Sequence, residues 1–275
     1  MIQVGLRLHD TEKGDLQQRL DFMKEQGFTC SHVALTKAIT EFSTANSALT
    51  PGLGSYIRKS FQKRNIDIAV LGCYLNLANP NEEQLKKIID TYKATIRFAS
   101  YLGCNVVGTE TGAPNETYEF EEACHSEGAL QTFIKNLRPV VEYAEKFGII
   151  IAIEPVYVHI VNDAKRAKRV LDEINSPNLQ ILFDPVNILS IDNYKEHTTV
   201  IKDALEIFGD DIVVFHIKDF VVESNSLKAC AVGTGLMDYT DIKEFIKKEK
   251  PYIHATLENV PPSYAKQACE IVRKW

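Results

Sequence analysis

The chain has 275 residues, 45% hydrophobic and 25% charged, a globular composition that excludes disordered, fibrous and low-complexity classes. Its 37 acidic side chains outnumber the 31 Lys and Arg, for a formal net charge of -6, so bulk electrostatics draw in neither a nucleic-acid backbone nor an anionic membrane surface. The first residues lack the basic start, long apolar stretch and small-residue cleavage site of a secretory signal, and no later run reaches the roughly 18 apolar residues of a membrane span.

A soluble, cytoplasmic protein is therefore expected. Cys30, Cys73, Cys104, Cys124, Cys230 and Cys269 never form a CxxC pair, which argues for free, mostly buried thiols rather than a redox pair or a zinc knuckle.

Short β-branched runs alternate with longer segments of helical spacing. Strands are predicted at IQVGLRL, CSHVAL, IDIAVLGCY, CNVVGTE, IIIAIEPV, LQILFDPV, DIVVFHIKD and YIHATLEN. Helices are predicted at about 13–26, 52–63, 81–101, 126–147, 163–173, 195–208 and 239–248, with a last one after Pro262. Asn81 and Asp163 are placed to cap helices, and Gly27, Gly103, Gly148 and Gly209 follow helices as candidate left-handed C-caps. The chain length divided among eight units gives about 34 residues each, the size of a strand with its crossover helix. The continuous apolar runs IIIAI, QILF and DIVVF fit parallel strands covered on both faces. A single (β/α)8 TIM barrel domain over residues 1–275 is predicted, since the GxGxxG loop of a doubly wound dinucleotide-binding sheet is missing after the first strand.

In such a barrel, function sits at the C-terminal ends of the strands. Glu154, Asp184, His216 and Glu258 close strands five to eight, spaced 30, 32 and 42 residues apart. Two Glu, one Asp and one imidazole form a mixed oxygen and nitrogen set suited to one divalent ion. Mn²⁺ is the first expectation, and Zn²⁺, Co²⁺ or Mg²⁺ also suit it. Further candidates to contact substrate are His9 with Arg7, Tyr74, Glu110, Tyr157 and the Lys218–Asp219 pair. The GTG at 233–235 lies where barrel enzymes often bind phosphate, but an ordinary loop turn is the favoured explanation. His32 and His254 are assigned to the core or rim.

The ordered set IEPV, FDPVN, FHIKD and LENV resembles the xylose isomerase-like TIM barrel superfamily, in particular its sugar-phosphate isomerase/epimerase group and the ketose 3-epimerases. The likeness runs over essentially the whole chain. It implies that Glu154, Asp184, His216 and Glu258 bind one metal and that Glu154 and Glu258 double as the acid/base pair. Three positions depart from the ketose 3-epimerase pattern: Asn187 stands where a substrate-contacting His is usual, His159 stands near an expected Glu, and Val222 replaces an Arg. The metal shell is thus retained and the substrate shell altered. The endonuclease branch of the superfamily needs an extra His that the stretch VVESNSLKACAVGTG lacks.

The expected chemistry is a metal-dependent sugar or sugar-phosphate isomerisation or epimerisation by proton abstraction next to a ketose carbonyl. The alternatives are an inosose-type dehydratase and a non-catalytic carbohydrate-binding barrel. The expected partner is a small carbohydrate or sugar phosphate, with no nucleic acid and no membrane; homo-oligomerisation is left open.

Overall fold

In a computed structural model, which describes residues 2–275, β1 (Gln3–Arg7) leads through α1 (Leu16–Gln26) to β2 (Cys30–Val33). Helices α2 (Leu35–Ala38) and α3 (Pro51–Gln62) lead to β3 (Asp67–Gly72), α4 (Glu82–Leu102) to β4 (Val106–Glu110) and α5 (Glu127–Glu145) to β5 (Ile150–Glu154). Then α6 (Ala164–Ile174) leads to β6 (Leu179–Phe183) and α7 (His197–Phe208) to β7 (Ile212–Ile217). A hairpin of β8 (Asp219–Glu223) and β9 (Ser226–Cys230) and then α8 (Thr240–Glu249) precede β10 (His254–Leu257) and α9 (Ala265–Arg273). The eight long-range strands close into a parallel barrel in the order β1-β10-β7-β6-β5-β4-β3-β2, the predicted (β/α)8 architecture. No helix among the described residues is long and apolar enough to cross a membrane.

The apolar runs explain the two-layered core. Helix residues such as Phe61, Phe98 and Phe133 bury against strand residues such as Leu71, Ile151 and Phe183, while Cys30, Val70, Ala152, Leu182 and Val214 fill the barrel interior. Little space is left inside: a Cβ on Gly5 would lie 2.5 Å from the Cys30 carbonyl oxygen. All six cysteines are free, and only Cys230 is not buried.

Local signals set the element ends. Asn81 and Asp163 accept the Gln84 and Arg166 amides at the starts of α4 and α6. Helix α1 starts three residues later than its apolar spacing predicts because Asp15 and Gln18 form a reciprocal capping box. Gly27 and Gly103 adopt left-handed caps. Gly209 does not: with a φ of -54° it begins a 3-10 turn, and its lack of a side chain instead admits the Phe245 ring, 2.8 Å from where a Cβ would stand.

The seventh strand also departs from expectation. It ends at Ile217, and Asp219 starts the hairpin β8–β9. Ser224 and Asn225 turn this hairpin with positive φ values of 49° and 60°, the geometry of a two-residue primed turn. Asp219 holds the following loop, accepting the amides of Phe220 and Met237 on Oδ1 and those of Gly233 and Gly235 on Oδ2 at 2.8–3.1 Å. The GTG amides are therefore taken by a carboxylate of the chain itself, so the segment is a structural turn and no phosphate cradle.

Exchanging Asp219 for Asn replaces one acceptor oxygen with a donor that faces backbone donors. Asp219→Asn is expected to lower stability by about 1–3 kcal/mol, measured by urea denaturation; an unchanged midpoint would show that the four amides find other partners.

Candidate metal centre and active site

Parallel strands in register deliver their last side chains to one end of the barrel, and Glu154, Asp184, His216 and Glu258 meet there. Asp184 and His216 are fully buried, with Glu154, Glu258 and Lys218 almost so. The His216 Nδ1 edge faces Glu154 Oε1 at 3.2 Å and Glu258 Oε1 at 3.1 Å. Lys218 Nζ pairs with Asp184 Oδ2 at 2.8 Å and with Glu258 Oε2 at 3.3 Å. Arg7 reaches Glu258 Oε2 at 3.3 Å while also pairing with Asp10.

The donor set fits a divalent cation. Ligand atoms of Glu154, Asp184 and His216 lie within 4.8 Å of one another, and His216 also belongs to a second such group with His32 and Glu258. Three buried carboxylates against the one buried ammonium of Lys218, with Arg7 shared by Asp10, leave two negative charges for a dication to balance. The titration shifts of the cluster residues follow the same field. Burial outweighs the Lys218 charge and pushes Asp184 up to about 6. Burial alone would also raise Glu258, but His216, Lys218 and Arg7 hold it well below the ordinary carboxylate range. Burial disfavours the His216 cation, yet Glu154 and Glu258 raise its pKa. The cluster draws positive charge inward.

A cavity of about 450 Å³ opens above this floor, a size suited to a small polar molecule. Its walls include Arg7, His9, Tyr74, Glu110, Asn187 and Lys218, all expected from sequence, together with His32, Lys37, Tyr118 and Asn259. Asn187 is committed to the cluster: its amide donates to Glu154 Oε1 at 2.8 Å and accepts from Lys218 at 2.6 Å. Tyr74 donates to Glu154 Oε2 at 3.3 Å. His159 stands one layer back, stacked on Tyr118 with ring centroids 5.1 Å apart, its Nδ1 3.8 Å from Glu110. Tyr118 donates to Glu110 at 3.1 Å from a backbone with φ of 63°, a strained conformation for a bulky residue. Tyr157 lines a separate surface groove beside α6 and α7.

His32, assigned from sequence to the core or rim, is buried as expected, and what that reading missed is its contact with the cluster. It lies one residue before the end of β2, with Nδ1 3.1 Å from His216 Nε2. CSHV is buried throughout, and only its place near a strand end, shared with the other site residues, could have flagged it.

Fold and floor together define a metal-binding-capable barrel related to enzymes that act on small sugar-like molecules. The chain belongs to the Xylose isomerase-like TIM barrel family, which matches residues 20–275. It is 26% identical over 147 residues to 3-oxo-isoapionate decarboxylase of Pectobacterium atrosepticum, covering 50% of each chain. It is 23% identical over 182 residues to the probable L-ribulose-5-phosphate 3-epimerase UlaE of Mycoplasma pneumoniae, covering 66% of this chain and 55% of that one. The chain thus spans about half the length of the curated relatives it matches. The solved IOLI protein with a bound zinc atom shares the fold, with a TM-score of 0.76 and 20% identity over 99% of this chain and 95% of that one.

The buried His159 provides a pH test. Burial pushes it down to about 4, against the opposing pull of Glu154, while an unfolded histidine titrates near 6.5. The unfolded chain then binds the extra proton, so the contribution of His159 to stability is complete above about pH 6.5 and is lost as pH falls toward 4. Between pH 7 and pH 5 the wild type is expected to lose about 2 kcal/mol that His159→Gln does not lose. Urea unfolding of both proteins at the two pH values measures it.

Proposed function

We propose that the protein is a divalent-metal-dependent isomerase or epimerase of a small ketose or ketose phosphate, moving a proton at the carbon next to the carbonyl. The observation that carries this reading is the pairing of two glutamates about one imidazole edge: β5 and β10 flank β6 and β7 in the barrel, and Glu154 and Glu258 approach His216 Nδ1 with their Oε1 atoms. Glu154, Asp184, His216 through Nδ1, and Glu258 would hold the ion. When bound, it supplies Lewis-acid stabilisation of the negative charge that builds on the substrate oxygens. Mn²⁺ as that ion and a cytoplasmic setting belong to the same reading.

The residues divide the remaining work. Glu154 takes a proton on one side of the substrate carbon and Glu258 returns one from the other side, or the reverse, as the direction of reaction requires. Their surroundings differ: Glu154 is also bonded by the neutral groups of Asn187 and Tyr74, whereas Glu258 is also bonded by Lys218 and Arg7. That asymmetry is how two like carboxylates acquire separate roles. Asn187 and Tyr74 fix the Glu154 carboxylate, and Lys218 fixes Asp184 and Glu258. Glu110 and His9 on the walls bond the substrate hydroxyls. Because Asn187 is spent on Glu154 and Lys218 and His159 stands behind Glu110, common free hexuloses are expected to react poorly, with another ketose, a lactone-related sugar or a phosphorylated one preferred.

The decarboxylase relative supports a second reading: loss of carbon dioxide from a β-keto sugar acid leaves the same enediolate, and Lys37 on the pocket wall supplies a cation toward a substrate carboxylate. A pooled screen of ketoses, ketose phosphates and β-keto sugar acids in D2O with Mn²⁺ separates the two. Deuterium incorporation without mass loss is expected; release of carbon dioxide establishes the second reading, release of water a dehydratase, and binding without exchange a non-catalytic barrel.

On the responding substrate, Glu154→Gln and Glu258→Gln are each expected to cut solvent exchange by about 10²-fold or more while keeping most metal affinity. Asp184→Asn should instead raise the Mn²⁺ concentration needed. Near-normal exchange of both epimers by a metal-loaded Glu258→Gln protein would rule out the two-carboxylate scheme.

A further inference from the structure

Beside His216 lies a ring that the proposed chemistry does not use, that of His32. His32 stacks on His216 with centroids 5.0 Å apart and planes 17° apart, and on Tyr74 at 5.6 Å and 27°. Its Nδ1 meets His216 Nε2 at 3.1 Å, and both rings are buried. Its Nε2 is buried without a hydrogen-bond partner. That nitrogen points at Gly72, where a Cβ would stand only 2.5 Å away, so the absence of a side chain on β3 is what gives the ring its room.

We infer that His32 is a positioning residue that holds His216 in the tautomer able to bind a cation. The inference rests on the metal reading given above. A bond between two imidazole nitrogens requires one N–H and one lone pair. For His216 to offer a cation a lone pair on Nδ1, the edge turned toward Glu154 and Glu258, its own proton must sit on Nε2. There it donates to Nδ1 of His32, which accepts and carries its proton on the unpartnered Nε2. The opposite arrangement, with His32 donating, moves the His216 proton to Nδ1 and closes the ligand edge. Ligand histidines are commonly fixed in this way through their second nitrogen; here the fixing group is a neutral imidazole, seated by Gly72 and braced by the Tyr74 ring. Tyr74 also donates to Glu154 Oε2, so the one stack of rings sets the orientation of both His216 and Glu154.

The test measures Mn²⁺ affinity and stoichiometry by calorimetry on the wild type, His32→Leu and His32→Asn. Leucine has a similar volume and no acceptor, whereas asparagine keeps an acceptor near the Nδ1 position. One ion per chain is expected, with affinity 10- to 100-fold weaker in His32→Leu and recovered to within a few-fold in His32→Asn. Thermal unfolding without metal should be no lower in His32→Leu, which a merely structural role would not allow. On the Zn²⁺-loaded wild type, nitrogen-15 NMR should find His216 protonated at Nε2 and His32 unprotonated at Nδ1, a result that needs no variant to fold. Equal Mn²⁺ affinity in the wild type and His32→Leu, or a protonated His32 Nδ1 in the loaded protein, overturns the inference. So do two ions in the wild type and one in His32→Leu, since His32 would then be a ligand itself. A wild type that binds no divalent ion instead overturns the metal reading beneath it.

Discussion

Three carboxylates share a buried floor a few ångströms across. Two like charges 4 Å apart repel by about 4 kcal/mol at an effective dielectric of 20, and desolvation adds to the cost of each. The surrounding structure offsets this with cations and fixed donors: Lys218 against Asp184 and Glu258, Arg7 against Glu258, and His216 between the two glutamates. Without that arrangement the carboxylates would protonate or splay apart. A divalent ion is the charge that would relieve this repulsion most directly.

The barrel makes the arrangement affordable because its rigid elements carry it. Each cluster residue sits at or just past the end of a parallel strand whose neighbours pack on both faces, so the positions are set by the core and not by loops. Around the floor the supports are layered: Asn187 and Tyr74 on Glu154, Lys218 on two carboxylates, and His32 on His216. Asp219, next to Lys218, does a different job, fastening the loop after β9 by three amides, those of Gly233, Gly235 and Met237. The strained backbone of Tyr118 brings its hydroxyl to Glu110 on the pocket wall, placing local strain beside the cavity.

Much of this was legible in the sequence because a charged residue ending an apolar strand is a conspicuous break in pattern. IIIAIEPV, QILFDPV, VVFHI and HATLE each carry one, and the regular spacing of the units placed them on one barrel end. What the sequence hid was of two kinds. His32 lies in CSHV, where no break in an apolar run singles it out, and its partner His216 is 184 residues away. The hairpin after β7 turns through Ser224 and Asn225 without the glycine that usually marks such a turn. Residue type also misled: Gly209 serves a close ring contact, and Asn187, read as an altered substrate contact, is spent on Glu154 and Lys218. These are tertiary facts, set by which neighbour arrives, and no local pattern encodes them.

The measurement closest to the central claim is a crystal structure of the Mn²⁺-soaked protein with data collected at the manganese absorption edge. The expected result is a single anomalous peak enclosed by Glu154, Asp184, His216 Nδ1 and Glu258, with the Lys218 ammonium still beside Asp184 or turned toward the cavity. A floor with no peak at saturating Mn²⁺, or an ion bound elsewhere while Lys218 keeps the carboxylates, would contradict it.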